Sequence, residues 1–169
     1  MKCTSCSGKT RMLNTQRYHY TESGLDNVYL ENIEVRVCDS CGDQIPRISR
    51  INDLHATIGR ALVMKPTLLV GKEIRFLRQH LGMKSREFAA LLRVDNSTLS
   101  RWEQGDQAVG PQSDGLIRLL YVRLVEEKEG KMLQGNVADA VASSREDRDV
   151  TIPLIVNMRD PSAFDYRPY

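Results

Sequence analysis

Apolar and polar residues alternate in the stretch that leads to residue 38. Ile33, Val35 and Val37 alternate with Glu34 and Arg36, and this period of two predicts a half-buried β-strand. Other β-favouring residues precede this stretch: Tyr18, Tyr20, Val28, Tyr29 and Leu30. Between them, residues 23–27 (SGLDN) are turn formers. The amino-terminal part of the chain therefore predicts a small β-sheet.

The apolar spacing changes to threes and fours beyond residue 47. The residues that show this helical period are Ile48, Ile51, Leu54, Ile58 and Leu62. Pro66 ends the predicted helix because proline disfavours helical geometry in the residue before it. The apolar stripe belongs either to the core or linker of the first domain, or to an interface with a second copy of the chain.

Helical spacing continues from residue 68 in two shorter segments. The first has one apolar face, formed by Ile74, Leu77 and Leu81. Gly82 follows and ends that helix. Ser85 is expected to be the N-cap of the second helix. The inward residues of this second helix are Phe88, Ala89 and Leu92.

Two more helices are predicted after a turn at residues 93–95. The third helix has Asp95 as its N-cap, with the carboxylate as the capping group. Leu99 and Trp102 lie on its buried face, and Gly105 closes it. The fourth helix starts near Ser113. Its predicted packing face consists of Leu116, Leu119, Leu120 and Leu124.

Composition adds little until charge is mapped locally. The 169 residues are 41% hydrophobic and 27% charged, so the chain can bury a core. The net charge of +2 is too small to favour any class of partner. Cations cluster around the predicted helices: Lys72, Arg75, Arg78, Lys84, Arg86 and Arg93. Glu73, Glu87 and Glu103 are interspersed and can pair with them. Singly, each cation is expected to be a solvated surface charge, whereas the set favours DNA phosphates.

The ends and the cysteine content indicate a compartment. No apolar run is long enough to cross a bilayer, and the first residues (MKCTSCSGKTR) lack the apolar middle of a secretion signal. We therefore expect a cytoplasmic protein. In that reducing environment four cysteines favour metal binding or redox chemistry over disulfides.

The cysteines form two CxxC pairs, Cys3 with Cys6 and Cys38 with Cys41. A tight turn with two intervening residues directs two thiolates toward one point. Gly8 and Gly42 follow the pairs, where the backbone must turn back sharply. Because four thiolates leave no open position for water, we predict a structural Zn²⁺ without which the small sheet unfolds. The alternative is a dithiol redox pair.

The predicted third helix carries polar residues opposite Leu99 and Trp102. These outer residues are Asn96, Ser97, Ser100 and Arg101. Short polar side chains let the start of a helix approach the floor of a DNA major groove, and Arg101 can reach guanine O6 and N7 with two parallel donors. Thr98 is better placed for a phosphate.

The tail has a mixed pattern. Residues 135–149 are small and polar and predict a linker, whereas residues 150–156 (VTIPLIV) predict a strand that Pro153 confines to an edge or a bulge. Aromatic residues follow: Phe164, Tyr166 and Tyr169. This tail either docks on its own domain or a dimer mate, or becomes ordered when it binds a foreign partner such as a toxin.

Both halves resemble one family. The CxxC motif with YTESGLDNVYLENIEVRVCDSCG, and then LLVGKEIRFLRQHLGM and TLSRWEQG, are similar to YgiT/MqsA-type zinc-finger and helix-turn-helix regulators, many of which are antitoxins. The resemblance covers about residues 1–125. It implies a structural zinc domain that contacts a toxin, and a phage-repressor-like domain that dimerises and binds a palindromic operator.

The resemblance also implies roles for single residues. It implies zinc ligands at Cys3, Cys6, Cys38 and Cys41, base contacts from Asn96, Ser97 and Arg101, and phosphate contacts from Ser85 and Thr98. The full set of expected DNA-binding residues is Ser85, Arg86, Asn96, Ser97, Thr98, Ser100 and Arg101. The chain departs from the family at Arg93, where the turn usually has glycine, and in its tail beyond Glu129.

The combined interpretation is an α+β protein with three parts. We expect a zinc-binding domain with a trailing helix or linker over residues 1–66, a helix-turn-helix domain over 67–130, and a linker and tail with an edge strand over 131–169. The leading hypothesis is a dimeric repressor that is the antitoxin of a toxin–antitoxin operon. The alternative is a stand-alone regulator or protein-interaction module without a toxin. An enzyme would have to use the dithiols or three histidines without common spacing, His19, His55 and His80.

Overall fold

The computed structural model describes residues 2–130, 136–143, 152–160 and 164–166, without the side chains of residues 14–16, 129 and 164–166. The predicted α+β class is confirmed, because strands and a four-cysteine cluster are followed by helices. The chain forms two compact units. The first comprises Met1–Thr21, Asp26–Thr57 and Ile152–Tyr169, and the second comprises Glu22–Leu25 and Ile58–Thr151. The boundaries at residues 66 and 130 stay predictions about independent folding.

The first unit is built on one mixed sheet. Its strands are β1 (Thr10–His19), β2 (Val28–Cys38), β3 (Gln44–Pro46), β4 (Leu154–Asn157) and β5 (Phe164–Tyr166), with a 3-10 turn at Thr21–Ser23 between β1 and β2. The order is β1-β2-β4-β5, and β3 also pairs with β2. All pairs are antiparallel except β2 with β4. The long β2 strand is therefore the centre of the sheet.

The alternation of apolar residues in β2 changes phase once. Val28 and Leu30 are buried, and so are Ile33 and Val35. Between these pairs Asn32 adopts a left-handed conformation with φ 56°. The register with β1 is the same on both sides of this point, since Arg17 pairs with Glu31 and Thr15 with Ile33. The left-handed residue therefore turns the following side chains to the other face without an inserted residue.

The tail supplies β4, which lies inside the sheet. Leu154, Ile155 and Val156 are buried, and the Asn27 side chain donates a 2.8 Å hydrogen bond to the Ile152 carbonyl. The expectation of an edge strand is wrong, because β4 pairs on both sides. Pro153 precedes the strand, so its missing N–H is not needed in the ladder. Residues 150, 151 and 169 of the predicted strand and aromatic cluster lie outside the described residues.

Six helices are described, and their bounds are as follows: α1 Ile51–Met64, α2 Gly71–His80, α3 Ser85–Leu92, α4 Asn96–Gln104, α5 Pro111–Glu129 and α6 Val137–Ser143. The first part of α1 belongs to the first unit and the rest to the second. Helix α6 falls where a linker was expected. Its start is stabilised by Asn136, whose side chain donates to the Asp139 carboxylate at 2.6 Å and accepts from the Asp139 N–H.

Two predicted helix caps differ from the structure. Ser85 is the first residue of α3, and Lys84 is the N-cap residue. The Lys84 backbone N–H donates to the Glu87 carboxylate at 2.9 Å, so the glutamate satisfies this helix end. Asp95 does occupy the N-cap position of α4, but its side chain makes no capping hydrogen bond.

The predicted packing face of α5 is wrong. Leu116 and Leu119 are 40% and 49% exposed, whereas the helix buries Ile117, Tyr121 and Val125. The reason is an ion pair on the inner stripe, 2.8 Å between Asp114 and Arg118, both fully buried. Because the inner stripe includes charged residues, the leucines on the outer side fit an apolar period better than the residues that are buried.

This buried pair fixes the segment that joins α1 to α2. The Arg118 guanidinium donates to the carbonyls of Val63, Lys65 and Thr67 at 3.0, 2.7 and 2.6 Å. Asp114 accepts the Leu69 N–H at 2.7 Å. Because Arg118 and Asp114 hydrogen-bond to these backbone groups, they stabilise a loop that has no regular secondary structure.

A membrane-crossing role for the helices is not supported in the described ranges. None of the helices there is both long enough and apolar enough to span a bilayer.

We expect Val156→Asp to lower the free energy of unfolding by roughly 3–5 kcal/mol, because it places an unpaired carboxylate inside the sheet. Val156 is fully buried, whereas Arg159 lies exposed in the following turn. Arg159→Asp is therefore the matched control and should unfold like the unmodified chain in urea. Equal midpoints for both variants would contradict the interior position of β4.

Candidate functional site

Four sulfurs meet at one end of the sheet. Cys3 and Cys6 come from the turn before β1, Cys38 ends β2, and Cys41 lies in the turn before β3. The four Sγ atoms lie within 4.8 Å of one another. The Cys3–Cys41 and Cys6–Cys38 distances are 3.8 and 3.4 Å. A tetrahedral ion with Zn–S bonds of about 2.3 Å requires edges of roughly 3.8 Å, so this cluster can bind a metal ion.

The two cysteine turns have the same hydrogen bonding. The Cys3 carbonyl accepts the Ser7 N–H, and the Cys38 carbonyl accepts the Gly42 N–H, both at 3.0 Å. Ser7 and Gly42 are left-handed, with φ 59° and 72°. The expectation that Gly8 provides the sharp reversal in the first turn is therefore wrong, since Ser7 adopts that conformation.

The sulfurs differ in their ease of ionisation. Backbone N–H groups of Cys41 and Ser40 lower the pKa of Cys38 to about 6. At Cys41 a backbone N–H of Asp43 acts to lower the pKa, but the neighbouring sulfurs of Cys6 and Cys38 raise it to about 12. Crowded thiolates repel one another, and a divalent cation between them removes that penalty. The donor set therefore fits a metal ion.

Gly8 provides the space that the converging turns need. A Cβ atom there would lie 2.6 Å from Ser40 Oγ, 3.0 Å from Ser40 Cβ and 3.1 Å from Cys38 Sγ. A side chain at residue 8 would therefore push the second turn away from the first.

Gly8→Ala is expected to weaken metal binding about tenfold, consistent with an overpacking cost of roughly 1–3 kcal/mol. The measurement is a Co²⁺ titration followed by thiolate charge-transfer absorption. Thr4→Ala is the control, because Thr4 is exposed between the first two ligands. Indistinguishable affinities of Gly8→Ala and the unmodified chain would show that the turns need no such space.

Helices α3 and α4 form the second candidate site. Leu99 and Trp102 are buried, whereas Asn96, Ser97 and Arg101 are exposed. The other expected DNA-binding residues are Arg86, which is exposed, and Ser85, Thr98 and Ser100, which are half-buried. The helix is thus two-faced, and its outer face is polar with one cation.

The turn between these helices keeps a left-handed residue without glycine. Arg93 has φ 55° and ψ 41°, and its N–H donates to the Ala90 carbonyl at 3.2 Å. This conformation costs a residue with a Cβ atom roughly 1 kcal/mol. The exposed guanidinium of Arg93 therefore lies in the turn directly before α4.

The interspersed glutamates are engaged elsewhere. Glu73 pairs with Lys65 at 2.6 Å in the core. Glu103 holds Arg78 through two hydrogen bonds of 2.6 and 2.9 Å, and both side chains are nearly buried. Arg78 is therefore a structural residue and leaves the expected phosphate-contacting set. Together with Glu87, which accepts the Lys84 N–H, these contacts engage all three acids.

The acids consequently leave several cations unneutralised. Arg86, Arg93 and Arg101 are exposed and form no ion pair within the described part of the chain. A contact that sequence reasoning missed connects the two helix starts: the Ser85 hydroxyl donates to Asn96 Oδ1 at 2.8 Å. No local signal predicts it, because it depends on how α3 packs beside α4.

The three histidines are not brought together. His19 hydrogen-bonds to the Asp26 carbonyl, His55 to the Tyr20 hydroxyl and His80 to the Tyr121 hydroxyl. In the described ranges, the group of potential metal ligands is the four-cysteine cluster.

A family model matches most of the chain. Residues 1–129 match the family described as the antitoxin component of a bacterial toxin-antitoxin system, MqsA. The matched region includes both the cysteine cluster and α3–α4, and it ends with α5. No curated protein and no solved structure matches the chain.

Proposed function

This chain belongs to the MqsA antitoxin family, and we propose that it neutralises a toxin and represses its own operon by binding a palindromic operator as a homodimer. The family implies a cognate toxin partner and a regulatory role. We place the protein in the cytoplasm, where both partners and reduced thiolates are found. Catalysis forms no part of the proposed function.

The observation that carries the DNA-binding proposal is the two-faced helix α4. Leu99 and Trp102 anchor it, and its outer face offers Asn96, Ser97 and Arg101. In the proposed complex these side chains enter a major groove, where Arg101 reads guanine. The unpaired guanidinium groups nearby supply phosphate contacts, and they account for affinity without sequence preference.

The dimer is supported by the outer face of α5. Leu116 and Leu119 are one turn apart and are 40% and 49% exposed. Exposed leucines at this spacing suit a helix that packs against its copy, since association removes both from water. Two copies would then place their α4 helices in successive major grooves, about 34 Å apart.

We further propose that the metal is Zn²⁺ and that its role is structural. Four thiolates at tetrahedral spacing fill the coordination sphere and leave no position for a reacting water. The ion would join the chain before β1 to the end of β2. A redox role for the cysteines would require free thiols in the native protein, which thiol titration of the metal-loaded chain measures.

Arg101→Ala is expected to weaken operator binding by on the order of 1–3 kcal/mol, because two donors to one guanine are lost. The loss on a random duplex should be much smaller. Fluorescence anisotropy with both duplexes measures these affinities, and Arg47→Ala is the control, since exposed Arg47 already pairs with Glu34 at 3.3 Å in the first unit.

Equal losses on the two duplexes would reassign Arg101 to the phosphate backbone. The same titrations test the dimer, because a palindrome should bind two chains and a single half-site should bind far more weakly. One chain per palindrome would contradict the homodimer.

Toxin neutralisation is tested by expressing each flanking gene with and without this chain. We expect one small product to arrest growth alone, to copurify with this chain and to be harmless in its presence. If neither product arrests growth or copurifies, the alternative of a stand-alone regulator or interaction module replaces the antitoxin proposal.

A further inference from the structure

A side-chain hydrogen bond joins the two cysteine turns beside the sulfur cluster. Ser5 lies between Cys3 and Cys6 in the first turn (residues 3–8), and Asp43 is the last residue of the second turn (residues 38–43). The Ser5 hydroxyl donates to Asp43 Oδ2 at 2.7 Å. The same carboxylate oxygen lies 3.9 Å from Cys3 Sγ. The bond therefore connects the turns directly beside one of the sulfurs.

The second turn is held between two paired strands. Cys38 is the last residue of β2, and its N–H donates to the Asp43 carbonyl at 2.9 Å. The residues on either side of this turn, Val37 of β2 and Gln44 of β3, pair with each other. The Asp43 carboxylate is therefore attached to a segment that the sheet fixes at both ends.

The first turn precedes β1, which lies at one edge of the described sheet. Where this turn meets β1, the Lys9 carbonyl accepts the Asp39 N–H of the second turn at 3.0 Å. Ser5 lies at the other end of the first turn, between its two cysteines. The bond from Ser5 to Asp43 therefore attaches the part of the first turn that carries the sulfurs.

This attachment opposes the repulsion within the cluster. Neighbouring thiolates repel one another, so the sulfurs separate when an ion leaves, and one of the two turns must move. A hydrogen bond from a hydroxyl to a carboxylate is stronger than a bond between neutral groups. Asp43 also carries a negative charge close to Cys3, and donation by Ser5 stabilises that charge. Ser5 and Asp43 together therefore resist opening of the first turn.

We propose that Ser5 and Asp43 are positioning residues for the metal site, which hold the first turn closed over the ion and slow its release. When their bond is lost, Cys3 and Cys6 detach before the cysteines of the second turn. This inference rests on the proposed metal site, because it assumes a bound ion. It assigns no ligand beyond the four sulfurs.

The test is transfer of Co²⁺ from the full-length, metal-loaded chain to saturating EDTA, followed by thiolate charge-transfer absorption. Ser5→Ala and Asp43→Ala should each release the ion about five- to tenfold faster. The double variant should release it no faster than either single variant, because the same bond is lost. Asp43→Asn keeps an oxygen acceptor for Ser5 and should release the ion no faster than the unmodified chain.

The matched control is Arg17→Ala, which removes an exposed ion pair of 3.0 Å with Glu31 elsewhere in the same sheet. If general destabilisation of the sheet governed release, this variant would also release the ion faster. We expect its rate to equal that of the unmodified chain. The Co²⁺ spectrum should be the same in all variants, because the four sulfur ligands are unchanged.

A second measurement locates the opening. The loaded chains are treated with iodoacetamide during the transfer, and peptide mapping identifies the alkylated cysteines. In Ser5→Ala and Asp43→Ala we expect Cys3 and Cys6 to be labelled before Cys38 and Cys41. Unfolding of the whole unit would label all four together.

The outcomes separate this inference from the metal site on which it rests. If the unmodified chain binds neither Co²⁺ nor Zn²⁺, the metal proposal fails, and the inference fails with it. Equal release rates in the unmodified chain, Ser5→Ala and Asp43→Ala would overturn the inference alone. So would additive acceleration in the double variant, simultaneous labelling of the four cysteines in the single variants, or a Co²⁺ spectrum that changes in Asp43→Ala.

Discussion

The first unit depends on four sulfurs being held closer together than their charges favour. The cysteine turns approach so closely that residue 8 has no space for a side chain, and the sulfurs raise the pKa of Cys41 to about 12. A bound cation converts this repulsion into cohesion. Such a cation would join the first residues to the end of β2, where the β1–β2 register begins at Thr10 and Cys38. Of the other described strands, β1, β3 and β4 pair with β2, and β5 pairs with β4.

In the second unit, opposite charges attract each other and hold helix α4 in a fixed orientation. Glu103 of α4 pairs with Arg78 of α2, and the Arg78 guanidinium also donates to the Met83 carbonyl at 2.9 Å. With Leu99 and Trp102 buried, this pair fixes the rotation of α4 about its axis. A polar outer face is stable in water without a ligand, so α4 can keep it exposed in the free protein.

The tail contributes a strand to the sheet of the first unit from beyond the matched region. The family match ends at residue 129, and yet β4 lies beside β2 in the first unit. Its contact through Asn27 and Ile152 joins residues 125 positions apart along the chain. Such a contact closes a long loop, whose entropic cost grows only slowly with length. Burial of Leu154, Ile155 and Val156 offsets that cost.

Local pattern alone determined several features. Two CxxC pairs with a β-rich stretch between them predicted the metal cluster, and apolar spacing predicted α1 to α5, including the burial of Leu99 and Trp102. These features could be predicted because a CxxC turn and a helical period each depend only on residues that are close together in the sequence.

Tertiary structure decided the features that depend on distant partners. The inner face of α5 follows from the buried Asp114–Arg118 pair, and a periodicity count cannot recognise charged residues as core. The interior position of β4 required pairing with a strand far earlier in the chain. The Ser85–Asn96 contact required two helix starts to be adjacent. Each of these is set by packing between elements, which a sequence encodes only through the whole fold.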